Sequence, residues 1–250
     1  MKYKALFIDV DGTLLPNADT GVPSQKVTDA IAKAKKKIHV GLVTGRPMSY
    51  LHNIFDHLQL DGPSIVTNGA EIVDSVTRKV LWQQPLLKED IAQVQQIIHQ
   101  FAKRVKVNDN GVDSHLVQDQ KYSNPLGMYI DSLPVEVADS LVSALSHIPT
   151  VSAGKMISWT TGQIDVWVAH VNATKQHGIL RAAEILGINT KEIIGIGDGY
   201  NDFPLMMACG FRVAMGNAID DLKAICDYIA PSVENDGVAD VIEKFILKSS

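Results

Sequence analysis

The sequence predicts an α/β fold: a Rossmann-like parallel-sheet core with an inserted α+β module. Three observations lead there. Short, near-continuous apolar runs alternate with helical patterns at both ends of the chain, as strands covered on both faces require. From about 84 to about 166 that alternation gives way to helix, strand, loop, strand, helix and further strands. Residues rich in aspartate and glycine follow the apolar runs, where open parallel sheets bind ligands beyond the strand carboxyl ends.

The elements follow in order. Residues 4–10 read as a buried strand. Residues 24–37 read as a helix capped by Ser24, with Val27, Ile31 and Ala34 on one face. A strand is expected over 38–44 and a helix over 47–58, with Pro47 in its first turn. Residues 64–74 hold a strand, an Asn-Gly turn and a second strand. The expected core spans 1–83 and 167–250; the inserted module spans 84–166, with amphipathic helices over 88–104 and 135–148 and a hairpin around Thr161-Gly162. The core pattern then resumes with a helix over 174–187 stopped by Gly187, and a strand over 192–198. A short helix over 203–210, a strand over 211–216 and a helix, strand and helix to 247 complete it.

Composition narrows the function classes. Of 250 residues, 46% are hydrophobic and 20% charged, which describes an ordinary globular protein. A net charge of −5 argues against a nucleic-acid footprint over the whole surface, and the basic run at 35–37 reads as a solvated helix end. The N-terminal apolar run is too short for a signal peptide, and no segment approaches the roughly 20 apolar residues of a membrane span. Cys209 and Cys226 lack metal-type spacing and read as core residues, so the expected compartment is cytoplasmic.

The chemistry lies after the strands. Asp9, Asp11, Gly12 and Thr13 follow the first; Thr44, Gly45 and Arg46 follow the second; Asp198, Gly199, Asn201 and Asp202 follow a later one. This order collects Asp9, Asp11, Asp198 and Asp202 at one sheet edge, with Lys175 at a helix start as a balancing charge. Buried like charges need compensation, and Mg2+ is a hard cation that takes carboxylates together with substrate phosphate. Each residue has an ordinary reading taken singly: Asp11-Gly12 as a turn, Asp202 as a helix cap, Thr44 and Gly45 as loop, Lys175 as a surface lysine. "GIGDGYND" is not a dinucleotide fingerprint, and no zinc, P-loop or serine-nucleophile spacing occurs.

Together, "DVDGTLL" (9–15), "VTGRP" (43–47), Lys175 and "GDGYND" (197–202) resemble the four ordered motifs of the haloacid dehalogenase superfamily of phosphohydrolases. "TNGAEI" (67–72), "VAMGNA" (213–218) and "NDGVAD" (235–240) are similar to its Cof-type branch, where a cap domain lies between the second and third motifs. The resemblance implies hydrolysis of a small organic phosphate monoester, such as a sugar phosphate, through an aspartyl-phosphate. It implies Asp9 as nucleophile and Asp11 as general acid and base. Mg2+ is expected on Asp9, the Asp11 backbone carbonyl, Asp198 and, directly or through water, Asp202. Thr44, Lys175 and Asn201 are expected to contact phosphate, with Lys175 also orienting Asp9. Gly12 and Gly45 are expected beside the substrate, and Arg46 and Asn68 facing the pocket. Tyr122, Tyr129 and Trp159 are candidates to line the cap. The expected partner is a small phosphorylated metabolite, with no nucleic acid or membrane. A phosphotransferase or sugar-phosphate mutase using the same phosphoenzyme, and a non-catalytic Mg2+ or phosphometabolite-binding protein, are the alternatives.

Overall fold

A computed structural model of the protein describes residues 2–16, 21–102, 105–117, 120, 122–158 and 162–248. The chain begins with β1 (Ala5–Ile8), α1 (Gln25–Ala34), β2 (His39–Leu42), α2 (His52–Leu58), β3 (Pro63–Val66), β4 (Glu71–Asp74) and β5 (Val80–Gln83). Its middle supplies α3 (Lys88–Ile98), β6 (Lys106–Asp109), β7 (Val112–His115), β8 (Pro125–Leu133), α4 (Val135–Leu145), β9 (Val151–Ile157) and β10 (Ile164–His170). It ends with α5 (Lys175–Leu186), β11 (Ile193–Gly197), α6 (Phe203–Ala208), β12 (Phe211–Ala214), α7 (Asp220–Ile225), β13 (Tyr228–Ile229) and α8 (Gly237–Ile242).

The core sheet runs β13-β12-β11-β1-β2, and every neighbouring pair is parallel. All four residues of β1 are fully buried, which explains its unbroken apolar sequence: helices cover both faces of the sheet. Ser24 caps α1 by accepting from the Val27 N–H, and Val27, Ala30, Ile31 and Ala34 bury one helical stripe. Gly187 ends α5 in the left-handed conformation.

The inserted sheet runs β7-β6-β8-β10-β9 and is antiparallel throughout. Its apolar face packs with α3 and α4 in a second core of Val107, Met128, Ile130, Val166 and Val168 with Val94 and Leu141. The alternate residues Tyr129, Asp131 and Asp165 line a cavity above the core. A small cluster of Ala70, Leu126, Trp167, Ala169 and Ala173 lies between the two larger cores. The fold is thus α/β with an inserted α+β cap.

Several local expectations change. The helix expected over 47–58 is split: Pro47 is extended, Met48–Tyr50 forms a 3-10 turn, and α2 begins at His52. The Arg46 carbonyl accepts from the Thr67 N–H at 3.0 Å, which draws this stretch along the sheet edge and delays the helix. The Asn-Gly turn is a fuller reversal, with Thr67, Asn68 and Gly69 all at positive φ. β5 was not expected; it is a short edge strand beside β4 with exposed Val80 and Leu81, too brief for a clear pattern. α3 and α4 stop at Ile98 and Leu145, short of their expected ends. β9 and β10 form the expected hairpin, but their pairing runs from Ile157↔Ile164 to Val151↔His170, so β10 straddles the expected join at 166/167. Trp159 and Thr161 lie outside the described residues. No helix among the described residues is long and apolar enough to cross a membrane.

Candidate active site

The carboxyl ends of β1, β2 and β11 place the site. Asp9 leaves β1 while its N–H still bonds the Ile196 carbonyl of β11 at 3.0 Å. Its Oδ1 accepts from the Val10 N–H at 2.8 Å and from Lys175 Nζ at 2.9 Å. Lys175, the first residue of α5, is 1% exposed, and the same ammonium donates to Asp202 Oδ1 at 2.7 Å. Asp202 Oδ2 accepts from the N–H groups of Asp198 (2.9 Å) and Gly199 (3.0 Å), folding the loop after β11 around one carboxylate. Thr13 donates to Asp198 Oδ1 at 2.8 Å.

Asp9, Asp198 and Asp202 each present a carboxylate oxygen within 4.8 Å of the others. Burial, then the charge of Asp202, pushes the Asp9 carboxyl well above the usual carboxylate range against the pull of Lys175. The same two causes raise Asp198 to about 7, opposed by the Thr13 hydrogen bond and Lys175. Burial works against the Lys175 ammonium, but Asp202 and Asp9 outweigh it and hold its pKa above the ordinary lysine value. Three buried carboxylates with one ammonium leave a deficit of positive charge. Their all-oxygen donor set, without histidine or cysteine, fits a hard divalent cation.

Asp11 departs from the expected collection of four aspartates. Its carboxylate is turned to Arg46, which donates from Nε at 2.9 Å and Nη2 at 2.6 Å in a two-bond fork. Only its backbone carbonyl was expected at a metal, so the side chain is left for other chemistry. Arg46 is itself 8% exposed, and Thr44 steadies its loop by accepting from the Arg46 N–H at 3.1 Å. A cavity of about 370 Å³ opens above these residues. Asp9, Asp11, Gly45, Arg46, Asp198 and Asn201 line its core side.

Gly12, Thr44, Asn68, Lys175 and Asp202 are not on the cavity wall. Gly12 has φ +74°, and a Cβ there would overlap the Asp198 carboxylate, so its small size makes room for that side chain. Asn68 accepts from Asn201 Nδ2 at 3.0 Å and points its own Nδ2 at Met156 Sδ, 3.2 Å away, linking core and cap. Of the aromatic candidates, Tyr129 lines the cavity and Tyr122 is packed in the cap core. Sequence reasoning missed Asn217, whose Nδ2 donates to the Gly12 carbonyl at 2.7 Å and braces the Asp9 loop. It lies in "VAMGNA", a segment with a visible signal but no evident role. It also missed Lys106, Asp113, Asp131 and Asp165 on the cap wall.

Comparison with known proteins points the same way. The chain is 26% identical to the pyridoxal phosphate phosphatase YbhA of Escherichia coli, over 99% of this chain and all of that protein. It is 24% identical to phosphoglycolate phosphatase 1 of Saccharolobus solfataricus, over 97% and 96%. The solved structure of the subclass IIB sugar phosphatase BT4131 superposes with a TM-score of 0.80 at 22% identity, covering 97% of this chain and 98% of that one. A haloacid dehalogenase-like hydrolase from B. subtilis gives 0.81 at 21% identity, over 97% and 99%. Residues 6–124 and 118–242 match the haloacid dehalogenase-like hydrolases as a family, a span that takes in Asp9 after β1 and Asp198 after β11, and the chain belongs to that family.

Proposed function

We propose that the protein hydrolyses small phosphate monoesters, sugar phosphates or related metabolites, in two steps through phosphorylated Asp9. The observation that carries this reading is the engagement of Asp9 Oδ1 by Lys175 and the Val10 N–H on a residue that lines the cavity, which supports Oδ2 as the nucleophile. Oδ2 forms a bond to phosphorus while the bond to the leaving oxygen breaks and that oxygen takes the electron pair. Asp11 gives the leaving oxygen its proton, then removes one from the water that attacks phosphorus and frees Asp9. In the resting fork Asp11 faces Arg46; to reach the leaving oxygen its side chain must turn from Arg46 towards the ester.

Asp9, Asp198 and the Asp11 carbonyl would hold Mg2+, with Asp202 behind them, and the cation would offset phosphate charge and favour in-line attack. Asp202, with both oxygens engaged, orients Lys175 and the Asp198 loop. Gly45 and Asn201, on the cavity wall, are assigned to its phosphate end, Thr44 behind them to holding the Arg46 loop, and Lys175 to neutralising charge at Asp9. The inserted module, expected over 84–166 with β10 running on to His170, closes over the site and meets the leaving group.

Phosphate release from an aryl phosphate and a panel of phosphorylated metabolites tests the reading. Release should require a divalent cation and vanish in Asp9→Asn. Silence towards every ester with Mg2+ present would overturn it.

A further inference from the structure

The cap side of the cavity has its own charge pattern. Lys106, Asp113, Asp131 and Asp165 line it, so one cation faces three carboxylates. Lys106 is committed to Asp131 at 2.5 Å. Asp113 accepts from Asn108 Nδ2 at 2.6 Å, and Asp165 accepts from the Ser132 N–H at 2.7 Å. Those donors are neutral; they fix the two carboxylates without cancelling their charge. Burial is the first cause raising both Asp113 and Asp165; the Asn108 bond to the one, the Ser132 and Ser158 bonds to the other and, after them, Lys106 oppose it only in part. On the core side, Arg46 pairs with Asp11 and Lys175 with Asp9 and Asp202. At the core end Arg46 and Lys175 are engaged by carboxylates and the remaining deficit is the one assigned above to a divalent cation; at the cap end Asp113 and Asp165 meet neutral donors and leave a deficit of their own.

A substrate spanning this cavity puts its phosphate at Asp9 and its leaving group against Asp113 and Asp165. A hydroxyl could donate to either. An ammonium would add the missing charge, while a carboxylate would meet like charge in a desolvated wall. Resting on the phosphatase reading above, we propose that the cap is a charge filter. Asp113 and Asp165, outweighing Lys106, select phosphate esters whose leaving group carries an ammonium and reject those carrying a carboxylate.

The test compares esters of similar size that differ in one charge: glucosamine 6-phosphate, glucose 6-phosphate and 6-phosphogluconate, and separately phosphoethanolamine, glycerol phosphate and phosphoglycolate. In each set kcat/KM should fall from ammonium to neutral to carboxylate, by about tenfold or more between the extremes. Asp113→Asn and Asp165→Asn keep side-chain shape and should shrink that ratio. Lys106→Gln should widen it, an opposite movement that general loss of folding cannot produce. A carboxylate ester cleaved as well as its neutral counterpart, or a ratio unmoved by all three variants, would overturn the filter. An aryl phosphate run alongside separates the two readings: turnover of it with no charge ranking sinks the filter alone, and no turnover of any ester sinks the phosphatase reading and the filter with it.

Discussion

Lys175 shows what a single residue does here. Its ammonium joins carboxylates from two different strand ends, Asp9 after β1 and Asp202 after β11, and it does so almost wholly out of water. Removing one partner of such a buried group leaves charge uncompensated. The two aspartates of "DVDGTLL" have separate surroundings, Lys175 for Asp9 and Arg46 for Asp11, so their variants should differ. Asp9→Asn should form no phosphoenzyme. Asp11→Asn keeps the nucleophile; with an aryl phosphate, whose leaving group needs little protonation, it should give a burst of aryl alcohol and accumulate phosphate on Asp9. Intact-protein mass and its reversal by hydroxylamine read this out, and equal signatures from the two variants would refute the assigned roles. The raised Asp9 and Asp198 carboxyls carry a pH consequence as well. Without a cation, the folded chain holds protons there that the unfolded chain, with carboxyls near about 4, has already lost. Their contribution to stability is therefore present at low pH and lost as pH rises through the window that ends, for Asp198, at about 7. A bound cation favours the ionised forms and reverses that slope. Melting temperature with Mg2+ minus that in chelator should thus grow between about pH 4 and 7; a difference flat across that range would count against the cation site.

At the scale of elements, the placement of Lys175 depends on a turn that holds none of the reacting groups. Gly69, at φ +102°, sits where a Cβ would overlap the Thr174 carbonyl at the start of α5. Gly178, one turn into the helix, lets α5 lie against Ile65. Gly69→Ala must strain a backbone that favours glycine and push the helix start away, so a loss of about 2 kcal/mol or more is expected in denaturant unfolding. Activity should fall further than stability explains, because Lys175 moves with Thr174; full activity at permissive temperature would refute this coupling. The same contrast marks what the sequence discloses. Asp9, Asp198 and Asp202 were legible because strand ends in a parallel sheet are known places, and β1 and β11 announce themselves as apolar runs. The fork between Arg46 and Asp11, and the link from Asn68 to Asn201, were not. They depend on side-chain directions across elements, which no spacing along the chain records. The cap wall was half legible: Tyr129 and Asp131 alternate with Met128 and Ile130 in β8, yet any half-exposed strand alternates so. The splitting of 47–58 was hidden for a related reason, since the bond from Thr67 that holds Arg46 comes from another hairpin.

For the whole molecule, the question is what holds cap and core together. Among the described residues, polar links include Asn68 to Met156, the Tyr129 hydroxyl to the Gly45 carbonyl at 3.5 Å, and Asn124 Nδ2 to Gln83 Oε1 at 2.9 Å. Tyr200 adds a firmer one. It belongs to "GDGYND" on the core, beside Asn201 and Asp202, yet its ring packs against the cap core, with Lys155 Nζ 5.0 Å above its centre. The loop that carries Asp198 is thereby tied to β9, so any movement of the cap over the core would pull on that loop. A ring transferred out of water contributes in proportion to its buried area, and a cation over its face adds about 0.5–1 kcal/mol when partly exposed. Tyr200→Ala removes both and should favour the open cap. A substrate whose leaving group reaches the cap would then show a KM raised about tenfold or more, a cost of about 1.4 kcal/mol in closure. A small aryl phosphate, held mainly at the core end, should lose much less. Lys155→Met keeps the ring and takes away the cation, together with its surface pair to Asp139, and should shift KM in the same direction by a smaller factor. If Tyr200→Ala lowered kcat equally for both kinds of ester and left KM alone, Tyr200 would be acting on the Asp198 loop itself and not on closure.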